Sequence, residues 1–310
     1  MFEFAKIMSG QATEEEIKEF LIMTNKEGIT APNITAFATI MRDKSEQLEV
    51  RDVVDTCGTG GDSSHTFNIS TAAAIVAASC GVRIAKHGNR AASSKSGSAD
   101  LLELLGYNLN KSKEEVRADI INKNFGFMFA PLYHPAMKYV AKARKDLGIR
   151  TVFNILGPLA NPAQAKYQLL GVYDASLTEI MAQVLGNLGA KHAFVVAACD
   201  GLDEISLMSE TKVTEYRDGE VKTFMFDPRD YGFRFCNLQS LQVTGIEESK
   251  AAVLTVLQGE KGPKRDIVVL NSAFILLVIG KVKTIKSGIV MAEDVLSSGK
   301  AYAKLQELIV

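Results

Sequence analysis

The chain opens on polar and apolar positions at helical spacing. Ile17, Phe20, Leu21 and Thr24 share one face. Thr13 and Glu16 stand at capping-box spacing ahead of them, and Gly28 suits the stop. Pro32 and Asn33 then open a second helix running through Met41. Residues 1–50 therefore read as a small helical N-terminal domain with one apolar face left for a partner.

At Val50 the pattern changes. Val53-Val54 predicts a strand leading into Gly58-Thr59-Gly60-Gly61, and the small apolar run Ser70 to Ser79 predicts a tightly packed helix. Arg83-Ile84-Ala85 predicts a second strand, again followed by a glycine-containing loop. A helix over Ser98 to Leu105 stops at Gly106, and Ser112 with Glu115 repeats the capping-box signal. Helical patterning returns over Met137 to Leu156, between Pro131 and Pro135 before it and Pro158 and Pro162 after it. Residues about 137–165 are expected to pack back against the N-terminal helices. Strands are predicted at Leu169–Val172, Ala193–Ala197, Val213–Tyr216 and Val221–Phe226, and 250–305 is mostly helical. This alternation predicts an α/β fold: a larger α/β domain with a mostly parallel central sheet, built from 51–136 and 166–310, beside the small helical domain.

Composition adds limits rather than a function. The chain has 310 residues, 47% of them hydrophobic, and a net charge of -1. Neither charge sign dominates, which argues against a broad nucleic-acid or membrane surface, so an anionic substrate needs a local cationic site. Cys57, Cys80, Cys199 and Cys236 are scattered with no metal-finger spacing, as for free thiols in a reduced compartment. Met1 to Gly10 lacks the pattern of a secretory signal, and Ala273 to Ile279 is far too short to span a bilayer. The expected location is cytoplasmic.

The strongest chemical feature is Asp55-Thr56-Cys57-Gly58-Thr59-Gly60-Gly61-Asp62. Closely spaced glycines let the backbone reach positive φ and approach a ligand, and successive N–H groups then form a concave anion site. The following helix N-terminus favours phosphate, with Asn68, Ser70 and Thr71 adding short polar side chains. The loop is neither a Walker A loop nor a G-x-G-x-x-G fingerprint. Alone, a tight strand-to-helix turn explains it equally well.

The second loop, Lys86-His87-Gly88-Asn89-Arg90-Ala91-Ala92-Ser93-Ser94-Lys95-Ser96-Gly97-Ser98, tips the balance. Lysine holds phosphate oxygens as a point charge and arginine as a fork, while serines and Asn89 hydrogen-bond phosphate or ribose. Open α/β sheets bind ligands at the carboxyl ends of their strands, where both loops fall. Asp203-Glu204 follows a predicted strand, and two adjacent carboxylates beside a diphosphate are reasonable magnesium ligands. Taken singly, an acidic surface turn is the commoner explanation of such a pair.

Gly58-Thr59-Gly60-Gly61-Asp62 with Thr66 to Thr71, Lys86 through Asp100, Arg150 through Pro162, and Gly201-Leu202-Asp203-Glu204, in that order, resemble the anthranilate phosphoribosyltransferases. The resemblance covers nearly the whole chain. It implies a fold of the nucleoside phosphorylase and phosphoribosyltransferase kind. It also implies transfer of the phosphoribosyl group of phosphoribosyl pyrophosphate (PRPP) to the amine of anthranilate, in tryptophan biosynthesis. PRPP would be bound by Gly58, Gly61, Asp62, Thr66, Asn68, Ile69, Ser70, Thr71, Lys86, Asn89, Arg90, Ser93, Ser94 and Ser98. Anthranilate would meet Gly58, Asn89 and Arg144, with His87 and His134 lining the same channel. Two Mg2+ ions are implied, one shared by Ser70 and Glu204, the other by Asp203 and Glu204. A homodimer through the helical domain is implied too. Val196-Ala197-Ala198-Cys199-Asp200, ahead of the acid pair, departs from the His-Gly of many relatives. Alternative readings are a pyrimidine-nucleoside phosphorylase-like enzyme, which would not need the acid pair, and a non-catalytic PRPP-binding relative.

Overall fold

The structure is a computed structural model that describes residues 2–62, 64–91 and 96–309. Three helices begin it: α1 (Phe2–Met8), α2 (Glu14–Glu27) and α3 (Ala31–Asp43). The capping box at α2 is formed, with Thr13 N–H donating to Glu16 Oε2 at 2.8 Å and Glu16 N–H to Thr13 Oγ1 at 3.2 Å. Pro32 sits in the first turn of α3, where its missing N–H costs nothing.

The α/β part follows as β1 (Val54–Gly58), α4 (Ile69–Ser79), β2 (Ile84–Gly88), α5 (Ser98–Leu104), α6 (Lys113–Lys123) and β3 (Phe125–Phe129). The chain then returns to the helical domain through α7 (Ala130–Tyr133), α8 (Lys138–Leu147) and α9 (Phe153–Leu156). It re-enters the sheet as β4 (Tyr167–Gly171), α10 (Thr178–Asn187), β5 (His192–Ala198), β6 (Thr211–Arg217) and β7 (Glu220–Phe226). Four helices finish it: α11 (Ile246–Leu257), α12 (Pro263–Val278), α13 (Ile285–Ser297) and α14 (Lys300–Leu308).

The sheet has seven strands in the order β3-β2-β1-β4-β5-β6-β7. Strands β3 to β5 are parallel, and the β6–β7 hairpin adds an antiparallel edge. Its faces follow the alternation of side chains along each strand. Leu169, Phe194 and Val196 join the core of α4 and α12, while Leu170, Ala193, Val195 and Ala197 face α10 and the helical domain. Phe4 and Phe37 meet at 4.6 Å and Phe4 and Phe153 at 5.6 Å, so the helical core and one sheet face form a single cluster. Helix α4 can lie close to its neighbours because Ala72, Ala73, Ala74, Ala77 and Ala78 are all buried.

Three local differences from the sequence reading have physical reasons. The stretch Phe125-Gly126-Phe127-Met128-Phe129 is a buried strand, and its unbroken apolar run carries no alternation to reveal it. Strand β2 runs on through Lys86 and His87, both buried, so these polar residues belong to the sheet rather than to the loop. The helical stretch of Met137 to Leu156 is broken at Gly148, whose φ of 59° ends α8.

One feature of the sheet sets up the site. Strands β1 and β4 pair along their whole length, ending at Gly58 opposite Gly171, whereas β1 and β2 pair only at Val54 opposite Ile84. Beyond that pair, side chains close the gap. Lys86 Nζ donates to the Thr56 carbonyl at 2.5 Å, His87 N–H to Asp55 Oδ1 at 3.3 Å, and Asn161 Nδ2 to the Ala85 carbonyl at 2.9 Å.

Candidate active site

From β1 the chain winds outward to β2 and β3, then returns to lay β4 and β5 on the other side of β1, which makes the carboxyl ends of β1 and β4 the switch point where open α/β sheets bind ligands. Its floor is made by glycines. A Cβ on Gly171 would lie 1.6 Å from the Asp203 carbonyl oxygen, and one on Gly58 would lie 2.3 Å from Asp203 Oδ2. The segment after β5 can therefore fold directly over the ends of β1 and β4. There Asp203 Oδ2 accepts the Gly60 N–H at 2.8 Å.

The glycine loop takes the backbone its sequence predicts, with Gly60 at φ 68° and Gly61 at φ 81°. Thr59 N–H donates to the Gly171 carbonyl at 2.9 Å, and the far side is pinned by Val243 N–H to the His65 carbonyl at 3.0 Å. Asn68 precedes α4 without capping it: Ser249 Oγ donates to its Oδ1 at 2.8 Å, and Ser96 Oγ donates to the same atom. At the helix N-terminus the Ile69 N–H donates to the Phe67 carbonyl at 2.7 Å, and the Ser70 N–H donates to the Glu204 carboxylate, which brings the acid pair to the helix start. Lys86 Nζ reaches that terminus, 3.2 Å from Ser70 Oγ.

Ionisable groups are crowded here. Burial pushes the Asp203 carboxyl up, with Asp62 adding repulsion. Glu204 is raised well above the usual carboxylate range by burial and then by Asp203, despite Lys86. Burial likewise lowers Lys86. Two adjacent carboxylates destabilised by their surroundings and by each other form an oxygen-donor set short of positive charge.

On the opposite side of β2, the His87 and His134 rings lie 4.9 Å apart. Burial holds His87 down to about 3 and His134 to about 4, so both are neutral imidazoles, and neither Nε2 has a hydrogen-bond partner among the described residues. Arg144, on α8, stacks over the Phe153 ring at 5.3 Å. Burial alone lowers its affinity for a proton, and among the described residues no carboxylate pairs with it.

The remaining sequence candidates are placed as follows. Ser98 opens α5 with its hydroxyl against Gly88, where a Cβ would come within 2.3 Å of it. Thr66 bridges to Gln242, and Thr71 Oγ1 is buried without a partner among the described residues. The Ile69 side chain lies in the core, leaving only its backbone for a ligand. Asn89 is exposed, and its Oδ1 accepts the Arg90 N–H at 2.8 Å. Arg90 pairs with Glu103 and Asp100, at 2.7 and 3.0 Å. Ser93 and Ser94 lie outside the described residues.

The structure adds residues to which the sequence reading gave no role. Asp55 and Asn161 sit beneath β2, and Arg150 donates to the Gly61 carbonyl. An acid inside an apolar strand marks Asp55, but nothing in its spacing marks Arg150.

The chain is similar to known proteins in sequence and in fold. A family model described as "Glycosyl transferase family, a/b domain" matches residues 50–302. An anthranilate phosphoribosyltransferase of a Thermoanaerobacter species is 50% identical over 306 residues, 98% of this chain and 90% of that protein. The crystal structure of the Thermus thermophilus anthranilate phosphoribosyltransferase superposes with a TM-score of 0.94 at 41% identity, over 99% of this chain and 92% of that one. The Saccharomyces cerevisiae enzyme in complex with PRPP and Mg gives 0.88 at 30% identity, over 99% of this chain and 89% of that one.

Proposed function

We propose the function from one premise: the chain belongs to the anthranilate phosphoribosyltransferase family. It transfers the phosphoribosyl group of PRPP to the amine of anthranilate, giving N-(5-phosphoribosyl)anthranilate and pyrophosphate, in tryptophan biosynthesis. The observation that carries the site assignment is the convergence of Asp203, the glycine loop and Lys86 at the N-terminus of α4.

The diphosphate of PRPP is assigned to the loop from Gly58 to Asp62 and the N–H groups of α4, with Thr66, Asn68, Ser70, Thr71 and Lys86 around it. Gly88 and Ser98 border the ribose phosphate, with Ser93 and Ser94 in the same loop. The donor set suits magnesium: all oxygen, two carboxylates, and a diphosphate beside them. Ser70 and Glu204 would hold one ion, Asp203 and Glu204 a second. Bound there, magnesium neutralises charge developing on the leaving pyrophosphate.

Anthranilate is assigned to the side of β2 that carries His87, with Gly58 and Asn89 at its edge. Arg144 is a cation awaiting an anion, and its planar fork matches the anthranilate carboxylate. His87 and His134 present unpartnered Nε2 atoms as neutral donors or acceptors. The chain's main work is alignment of the amine with the anomeric carbon, at which the reaction inverts through an oxocarbenium-like state. No side chain is assigned as general base, because the aromatic amine sheds its proton readily once bonded.

A homodimer through the helical domain is the assembly this reading favours, with Phe2, Ile22 and Met23 exposed there. No helix among the described residues is long and apolar enough to cross a membrane. The free cysteines suit the reducing cytoplasm, where we place the enzyme.

The deciding experiment follows anthranilate fluorescence in the presence of PRPP and magnesium. Steady loss that needs all three components supports the reading, and no loss overturns it.

A further inference from the structure

Arg150 occupies a position that the reaction as described does not use. Its guanidinium donates to the carbonyl oxygen of Gly61 and lies 4.2 Å above the Tyr173 ring. Tyr173 is itself fixed, its N–H donating to Thr59 Oγ1 at 3.1 Å. On the other side, Asn25 of α2 donates to the Arg150 carbonyl at 2.7 Å. One arginine thus ties together the helical domain, the residue that follows β4 by two positions, and the glycine loop. Among the described residues it pairs with no carboxylate; Asp174 nearby is lowered chiefly by its hydrogen bonds from Ser176, with the Arg150 charge adding to them. A stacked guanidinium gains cation–π energy and loses little freedom when it forms a hydrogen bond.

The direction of the Gly61 carbonyl has a consequence for its neighbour. In a trans peptide the C=O and the following N–H point opposite ways. With the carbonyl held by Arg150, the N–H of Asp62 must point away from Arg150. Gly61, at φ 81°, has the backbone freedom to rotate that peptide if nothing holds it.

We propose that Arg150 is a positioning residue for the diphosphate: clamped on Tyr173, it holds the Gly61–Asp62 peptide so that the Asp62 N–H completes the anion site. The inference rests on the PRPP reading of the loop. It assigns to Arg150 a role in preorganising the loop before any ligand arrives, distinct from direct contact with phosphate.

The test compares the full-length wild type with Arg150→Met and Tyr173→Leu. Hydrogen exchange is read over residues 58–64 in the ligand-free enzyme, followed by calorimetric titration with magnesium–PRPP and by steady-state kinetics. In Arg150→Met the loop should exchange faster without ligand, and the PRPP dissociation constant should rise ~10- to 100-fold, the cost of a misplaced binding group. The anthranilate Michaelis constant at saturating PRPP should stay within about twofold. Tyr173→Leu should shift the same quantities in the same direction by less, because the hydrogen bond survives without its platform. Unchanged loop exchange in Arg150→Met overturns the proposal, even if affinity falls, since that pattern belongs to a direct phosphate contact. Unchanged PRPP affinity overturns it as well. Failure of the wild type itself to bind PRPP would instead remove the functional reading beneath it.

Discussion

The carboxylate of Asp203 and the backbone N–H of Gly60, 143 positions apart in sequence, meet at 2.8 Å over the ends of β1 and β4. That bond joins the acid pair to the glycine loop. It gives Asp203 a part in shaping the loop that is separate from the cation-binding role proposed for it.

Asp203→Asn keeps an oxygen that can accept the Gly60 N–H but loses the charge, and Glu204→Gln does the same for its neighbour. Each should lower turnover by about 100-fold or more and raise the magnesium concentration needed for half-maximal rate. A magnesium titration of turnover reads this directly. Wild-type turnover with unaltered magnesium dependence in either variant means the metal assignment is wrong.

The glycine floor makes a graded prediction. Gly171→Ala forces a Cβ against backbone, so it should cost about 1–3 kcal/mol of stability and displace Asp203, with loss of PRPP affinity. Gly58→Ala meets only the end of a side chain and should cost less. Gly157→Ala, helical and in open space, should be close to neutral. Denaturant melts of the three variants rank them, and equal stability for all three would discredit the close packing of Asp203.

How much of this was legible beforehand differs by kind of signal. Helix starts at Thr13 and Ser112 were readable because a capping box is a local hydrogen-bond pattern. The mostly parallel α/β fold was readable because strand and helix alternate through Gly58, Ser70 and Ile84. Strand β3 was not, because a strand buried on both faces has no polar beat. Nor was the role of Arg150, because its partners Asn25, Gly61 and Tyr173 come from separate elements that only tertiary folding brings together. Arg90 shows the converse. Its motif suggested phosphate, whereas its exposed ion pairs with Glu103 and Asp100 could only be seen in the fold. The acceptor was legible only through family resemblance, since a lone arginine on a helix, as Arg144 is, names no substrate.

Arg144→Ala should raise the Michaelis constant for anthranilate ~10- to 100-fold, the loss of a charged hydrogen-bonding partner, while the PRPP constant changes little. Initial rates against each substrate in turn measure both. An unaltered anthranilate constant removes Arg144 from the acceptor pocket.

The histidine pair makes stability depend on pH with a defined sign. His87 and His134 have proton affinities lowered from 6.5 to about 3 and about 4 in the folded state. The unfolded chain therefore takes up protons below pH 6.5 that the folded chain refuses. Their contribution is complete above that pH and is lost as pH falls toward 4, at about 1.4 kcal/mol per pH unit for each titrating ring. Urea melts at pH 7 and 4.5 should show a larger loss for the wild type than for the His87→Asn, His134→Asn double variant. Equal losses would mean the rings are not held neutral.

Met23→Glu, on the exposed face of α2, should shift the sedimentation profile from dimer toward monomer with the fold retained. A dimer of wild-type stability would place the interface elsewhere.

The single rung between β1 and β2 has a consequence for ligand binding. The sheet is two ladders, β3 with β2 and β1 with β4 to β7, meeting along a seam held mainly by Lys86, Asp55 and Asn161. The two phosphate loops leave the sheet on either side of that seam, one after Gly58 and the other after Gly88. On the proposed reading the first loop takes the diphosphate and the second the ribose phosphate, so bound PRPP would be a clasp across the join between the two ladders.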